Sequence, residues 1–85
     1  MSETQKMAEV NAAFDKCLSE SMGIGREAIQ ELKDVREDFG GDSLDHAYFL
    51  MKLEETFGIC ISELEVEGCR TVADYRALVM GKIAA

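Results

Sequence analysis

The 85-residue chain has no proline and no tryptophan, and only nine basic residues against seventeen acidic ones. Without proline, element boundaries must be marked by glycine and by capping side chains. The formal net charge of −8 repels nucleic acid and anionic membrane surfaces and favours a basic protein partner. No apolar run approaches the roughly 20 residues of a membrane span, and the opening MSETQKMAEV lacks the apolar core of a signal peptide. The expectation is a cytoplasmic protein with no membrane span and no nucleic-acid partner. Three cysteines, Cys17, Cys60 and Cys69, cannot all pair within one chain and match no zinc spacing. They read as thiols of a reducing compartment.

What is present is an ordinary globular composition, 47% hydrophobic and 31% charged. A chain of this length buries only roughly 60–65% of its unfolded surface, enough for one small domain over residues 1–85 and too little for an enzyme with a deep cleft. The acidity is concentrated. Glu27 to Glu67 holds twelve Asp or Glu against Lys33, Arg36 and Lys52, a balance of −9. A solvated surface explains such a bias by default, and an electropositive docking partner explains it equally well.

Two glycine pairs, Gly23/Gly25 and Gly40/Gly41, mark breaks. Before the first, Met7, Val10, Phe14 and Cys17, with Leu18 beside them, form one apolar stripe of a helix from about Glu3 to Glu20. Residues 21–42 are weakly periodic and read as a long loop with a short helical turn, anchored by Ile24, Ile29, Leu32 and Val35. A loop this long in a small domain is usually functional. Asp42-Ser43-Leu44-Asp45 then starts a strong helix, with Asp42 or Ser43 as its cap, that runs to Phe57 and stops at Gly58. After Ile59 and Ile61, a short helix over Glu63–Glu67 ends at Gly68. Thr71, with Asp74 three residues on, caps a last helix whose stripe is Val72, Tyr75, Val79 and Ile83, with Leu78 alongside. The predicted fold is all-α: a small antiparallel four-helix bundle of three main helices and one short one, with a long loop between the first two.

The middle helix carries two apolar stripes. Phe49, Leu50, Leu53 and Phe57 fall on the core side, while Leu44, Tyr48 and Met51 fall nearly opposite. One stripe is normal for a bundle helix. The second either packs under the long loop or forms an exposed docking strip flanked by Asp45, Glu54 and Glu55. Ser43 sits at the helix N-terminus, a place that favours attached or bound phosphate. A plain capping role is the commoner reason for a serine there.

The stretch DFGGDSLDHAYFLMKLEETFGICI, followed by the acidic short helix and TVADY, resembles the acyl carrier proteins. The similarity extends from about Val35 to Val79. It rests on the Gly-x-Asp-Ser-Leu core (Gly40 to Leu44) joined to LEETFG (Leu53 to Gly58). The resemblance implies that Ser43 is esterified to 4′-phosphopantetheine, transferred from coenzyme A by a separate magnesium-dependent phosphopantetheinyl transferase. It implies that Asp42 helps present the serine, and that Leu44, Met51, Glu54 and Glu55 dock partner enzymes. With Asp45 and Tyr48 completing the strip, the expected partners are acyl-transfer or synthase enzymes with basic docking patches, which receive acyl thioesters from the arm in fatty-acid, specialised lipid or polyketide biosynthesis. Such a carrier is not itself an enzyme and is expected to be a monomer.

Several positions depart from the fatty-acid pattern: Phe39 for leucine, His46 for a small residue, Tyr48 for an acidic one, Lys52 for a small one and Ser62 for proline. They make the recognition face less negative and more aromatic, as expected of a carrier dedicated to one lipid or polyketide pathway. An aminoacyl or peptidyl carrier shares the Gly-Gly-x-Ser-Leu core and stays open, as does a helical binding module that never carries the arm. Ser43 and His46, three apart, suggest a hydrolase, but no acid is placed to orient the histidine and no nucleophile elbow surrounds the serine. Asp38, Asp42 and Asp45 lack the spacing and closing glutamate of a calcium loop.

Overall fold

Four helices account for most of the computed structural model, which describes residues 3–40 and 42–84. They are α1 (Glu3–Met22), α2 (Ser43–Phe57), α3 (Glu63–Glu67) and α4 (Val72–Ala84), with a 3-10 turn at Arg26–Ala28 inside the long connection. The fold is the expected all-α four-helix bundle. Among the described residues the one β-type pairing is an isolated bridge between Asp34 and Thr71. Gly41, the second glycine of its pair, lies outside the described residues.

Glycine and capping side chains do mark the boundaries. Gly23, Gly40 and Gly58 all adopt positive φ, at 65°, 66° and 63°, a conformation in which a Cβ would crowd the following carbonyl. Ser62 and Thr71 open α3 and α4 in the same way. The Ser62 Oγ accepts from the Glu65 N–H while Glu65 accepts from the Ser62 N–H. Thr71 and Asp74 exchange the equivalent pair of bonds. Each such box satisfies two backbone donors that no helical carbonyl can reach.

The core is the meeting of the predicted stripes. Phe14 and Leu18 of α1, Phe49 and Leu53 of α2, and Val72, Tyr75 and Val79 of α4 are all essentially inaccessible, and Val35 joins them from the loop. Burying each such side chain is worth roughly 1.5–3 kcal/mol. Phe49 lies at the centre, packed edge-on to Phe14 and Tyr75 with ring centroids 5.8 and 5.7 Å away. Two expected anchors fall outside the core. Met7, a turn before Val10, is 55% exposed near the start of α1, where it borders an open groove with Met80 and Ile83 of α4. Leu32 is 89% exposed. The loop hydrogen-bonds to the first turn of α4 through the carbonyls of Glu31 and Lys33, and in that arrangement Val35 turns inward and Leu32 outward.

The long connection is not loose. Asp34 Oδ1 accepts from the N–H groups of Arg36 and Glu37, and Oδ2 accepts from Arg70 Nε at 2.8 Å. Arg76 of α4 reaches Asp15 of α1 at 2.8 Å and Glu31 of the loop at 2.9 Å, with its guanidinium 4.6 Å from the Phe14 ring centroid. Loop, α1 and α4 are thereby tied at one point. At the other end Lys82 pairs with Glu65 at 2.8 Å and pins α3 to α4. That ion pair and the Ser62 bonds hold the Glu65 carboxyl down at about 2.

Candidate functional site

Asp42, not Ser43, caps α2. Its backbone is extended at φ −91° and ψ −175°, its Oδ1 accepts from the Asp45 N–H at 2.9 Å, and Asp45 Oδ2 accepts from the Asp42 N–H at 3.2 Å. The capping role that could have explained Ser43 is therefore filled by its neighbour. Ser43 is the first residue of the helix, is exposed, and its hydroxyl makes no hydrogen bond among the described residues. A serine so placed has its oxygen available for chemistry at a rigid helix end.

Around it lies an open depression of about 480 Å³ lined by Arg36, Asp42, Ser43 and His46. His46 shares this depression with Ser43 but is committed elsewhere. It is 7% exposed, with Nε2 2.7 Å from the Tyr75 hydroxyl and Nδ1 3.3 Å from Arg36 Nη2. Arginine can only donate, so Nδ1 accepts and Nε2 carries the proton that Tyr75 receives. Burial, and secondarily the Arg36 charge, push the His46 pKa below its ordinary value, while burial raises that of Tyr75. The histidine is thus a neutral structural bridge between loop, α2 and α4. A second opening of about 400 Å³ separates α2 from α3, walled by Leu50, Ile61 and Val66 and again reached by Arg36 and His46.

The second stripe of α2 is exposed. Leu44 is 79% accessible, and Tyr48 and Met51 are each 44% accessible, so the loop does not cover them. Lys52 sits over the Tyr48 ring with Nζ 5.8 Å from the centroid, a favourable contact at a surface position. The acidic rim divides. Glu55 is exposed. Asp45 is half-buried in the capping box, and Glu54 is half-buried with Oε2 accepting the Ile61 N–H at 3.0 Å. Both carboxylates therefore shape the backbone as well as the surface. Among the described residues no cluster of three His, Cys, Asp or Glu side chains could hold a metal ion, and no helix is long and apolar enough to cross a membrane.

The residues present suit a phosphopantetheine arm. They offer an exposed hydroxyl with no bond among the described residues, a cap that keeps it at the surface, and a neighbouring cation. The role of Arg36, His46 and Tyr75 at this end of the bundle was not visible in the sequence, although His46 did stand out as an unusual residue for its place. Residues 12–79 match the family model described as "Phosphopantetheine attachment site". The chain is 34% identical over 76 residues to the acyl carrier protein of Saccharopolyspora erythraea, covering 89% of this chain and 80% of that one. It is 31% identical over 75 residues to the acyl carrier protein of Cyanidium caldarium, covering 88% and 87%.

Proposed function

The chain belongs to the acyl carrier proteins, non-catalytic carriers with a covalent 4′-phosphopantetheine, and from that premise we propose that Ser43 bears the arm and that this carrier serves a dedicated lipid or polyketide pathway. The observation that carries the assignment is the division of labour at the start of α2: Asp42 takes the cap and leaves Ser43 exposed, its hydroxyl without a bond among the described residues. When bound, the arm supplies a flexible tether whose terminal thiol holds an acyl group as a thioester. The protein's own part is to present Ser43 on a fixed helix end and to offer a face that partners recognise. Asp42, whose carboxylate faces the same depression, presents the serine to the phosphopantetheinyl transferase.

Leu44, Tyr48 and Met51, with Asp45, Glu54 and Glu55 along their edge, form the docking face for acyl-transfer or synthase enzymes bearing basic patches. A carrier must leave each partner quickly, and a small strip with a solvated rim suits short-lived contact. Such a shuttle works as a freely diffusing cytoplasmic monomer. The aromatic Tyr48, shadowed by Lys52, replaces part of the negative charge a general fatty-acid carrier would show and supports a dedicated partner.

Trapping the loaded protein from its native cells and analysing the group released from the thioester tests this reading. A specialised acyl chain supports it, whereas an amino acid would move the chain to the aminoacyl carriers. Equal rates of elongation on this chain and on a general synthase's own carrier would overturn the dedicated role.

A further inference from the structure

Arg36 is a cation in the wrong company. It lies in the segment from Glu27 to Glu67, where twelve carboxylates face three basic residues, yet among the described residues every ion pair involves Arg70, Arg76 or Lys82 and none involves Arg36. Its backbone N–H is fixed by Asp34 Oδ1 at 2.9 Å, and its Nη2 donates to His46 Nδ1 at 3.3 Å. His46 is in turn held by the buried hydroxyl of Tyr75 at 2.7 Å. An exposed arginine normally wanders, but this one is tethered at both ends.

Arg36 borders three openings, and one of them holds Ser43. Among the described residues no other charged cation lines that depression; His46 is neutral there, chiefly through burial and secondarily through the Arg36 charge. Of the nearby carboxylates, Asp42, which lines the depression, and Asp45 bond each other's backbone N–H groups, and Asp34 takes Arg70. Only one guanidinium nitrogen is used on His46, so N–H donors remain in the planar fork that matches phosphate oxygens. A phosphodiester on Ser43 would bring a new negative charge to the acidic end of a helix already edged with carboxylates. A fixed cation beside it offsets that repulsion.

We propose that Arg36, anchored through His46 and Tyr75, is the built-in counter-ion for the phosphodiester of the arm, acting as a positioning residue that restrains the base of an otherwise mobile tether. This rests on the assignment of Ser43 as the attachment site. The anchor explains why a buried polar pair is kept in so small a core: His46 and Tyr75 fix the guanidinium rather than perform chemistry.

The test compares apo and loaded protein by arginine side-chain 1H–15N spectra and by 31P NMR, with loading verified by intact mass. On loading, the Arg36 Nε–H signal should shift and exchange more slowly with water, while that of Arg26, exposed in the 3-10 turn, stays put. In loaded Arg36→Gln the 31P resonance should move away from its position in the parent, and in Lys33→Gln it should not. Full loading with an unmoved Arg36 signal overturns the counter-ion role and leaves the attachment site standing. So does a 31P shift of equal size in both variants, which would mark a diffuse field. Failure to gain mass at Ser43 removes the attachment site, and the counter-ion role with it.

Discussion

Removing a single oxygen with Tyr75→Phe should destabilise this domain far more than its size suggests. Tyr75 is 1% exposed, and its hydroxyl receives the Nε2 proton of His46 at 2.7 Å. Because Arg36 occupies Nδ1, the imidazole cannot turn its acceptor nitrogen to the gap. The variant therefore leaves a buried N–H without a partner, an omission that costs about 1–3 kcal/mol. For a domain of this length about 2 kcal/mol lowers the Tm by roughly 8–16 °C, a large share of a reserve on the order of 4–13 kcal/mol. Urea unfolding followed by far-ultraviolet circular dichroism reads the loss directly. Tyr48→Phe is the control: that ring is 44% exposed, and the change should stay within about 0.5 kcal/mol. Adding His46→Leu to Tyr75→Phe should cost less than the two single changes summed, because the stranded donor is gone. If Tyr75→Phe is no more damaging than Tyr48→Phe, the buried bridge contributes nothing and the reasoning fails.

Three further outcomes follow from the same geometry. The His46 pKa is lowered in the folded chain from 6.5, so the unfolded chain takes up the proton first as pH falls. Stability should be flat above about pH 7 and decline as pH drops through 6.5 toward the folded value, and His46→Gln should flatten that limb of the urea-midpoint curve. Glu65 runs the opposite way. Its carboxyl titrates at about 2 instead of 4.5, so its support for α3 is complete above pH 4.5 and fades as pH falls toward 2; in Lys82→Ala, side-chain 13C titration should find the midpoint raised toward 4.5. Asp42→Ala should cost about 1 kcal/mol by removing the cap of α2, whereas Ser43→Ala, which removes no cap, should unfold at nearly the parent's urea concentration.

The helices were legible in the sequence because their signals are local. Capping side chains three residues apart, glycine after the last apolar residue and stripes at helical spacing all lie within one element, and α2 and α3 end where Gly58 and Gly68 stand. The exposed Leu44–Tyr48–Met51 strip was visible as a pattern, but periodicity alone could not say whether the loop covered it. What stayed hidden depends on contacts between distant residues. Tyr75 meets His46 across 29 positions and Arg76 meets Asn11 across 65, and neither pairing leaves a mark in local spacing. Leu32 looked like an anchor because apolar residues usually are, and its exposure follows from the backbone bonds of the loop to α4. The use of Glu54 to hold the Ile61 N–H is likewise invisible until the chain has turned after Gly58. Ser43 could be singled out by position, but the feature that frees it, the cap made by Asp42, is a matter of geometry.

The central claim is that Ser43 carries the phosphopantetheine arm, and intact mass tests it most directly. The parent and Ser43→Ala would each be incubated with coenzyme A, magnesium and a broad-specificity phosphopantetheinyl transferase. A gain of one phosphopantetheine on the parent and none on the variant is the predicted result. No gain on a folded parent, or an equal gain on both, would contradict it: the first would leave a helical binding module that acts through its α2 face alone, and the second would place the arm on another residue.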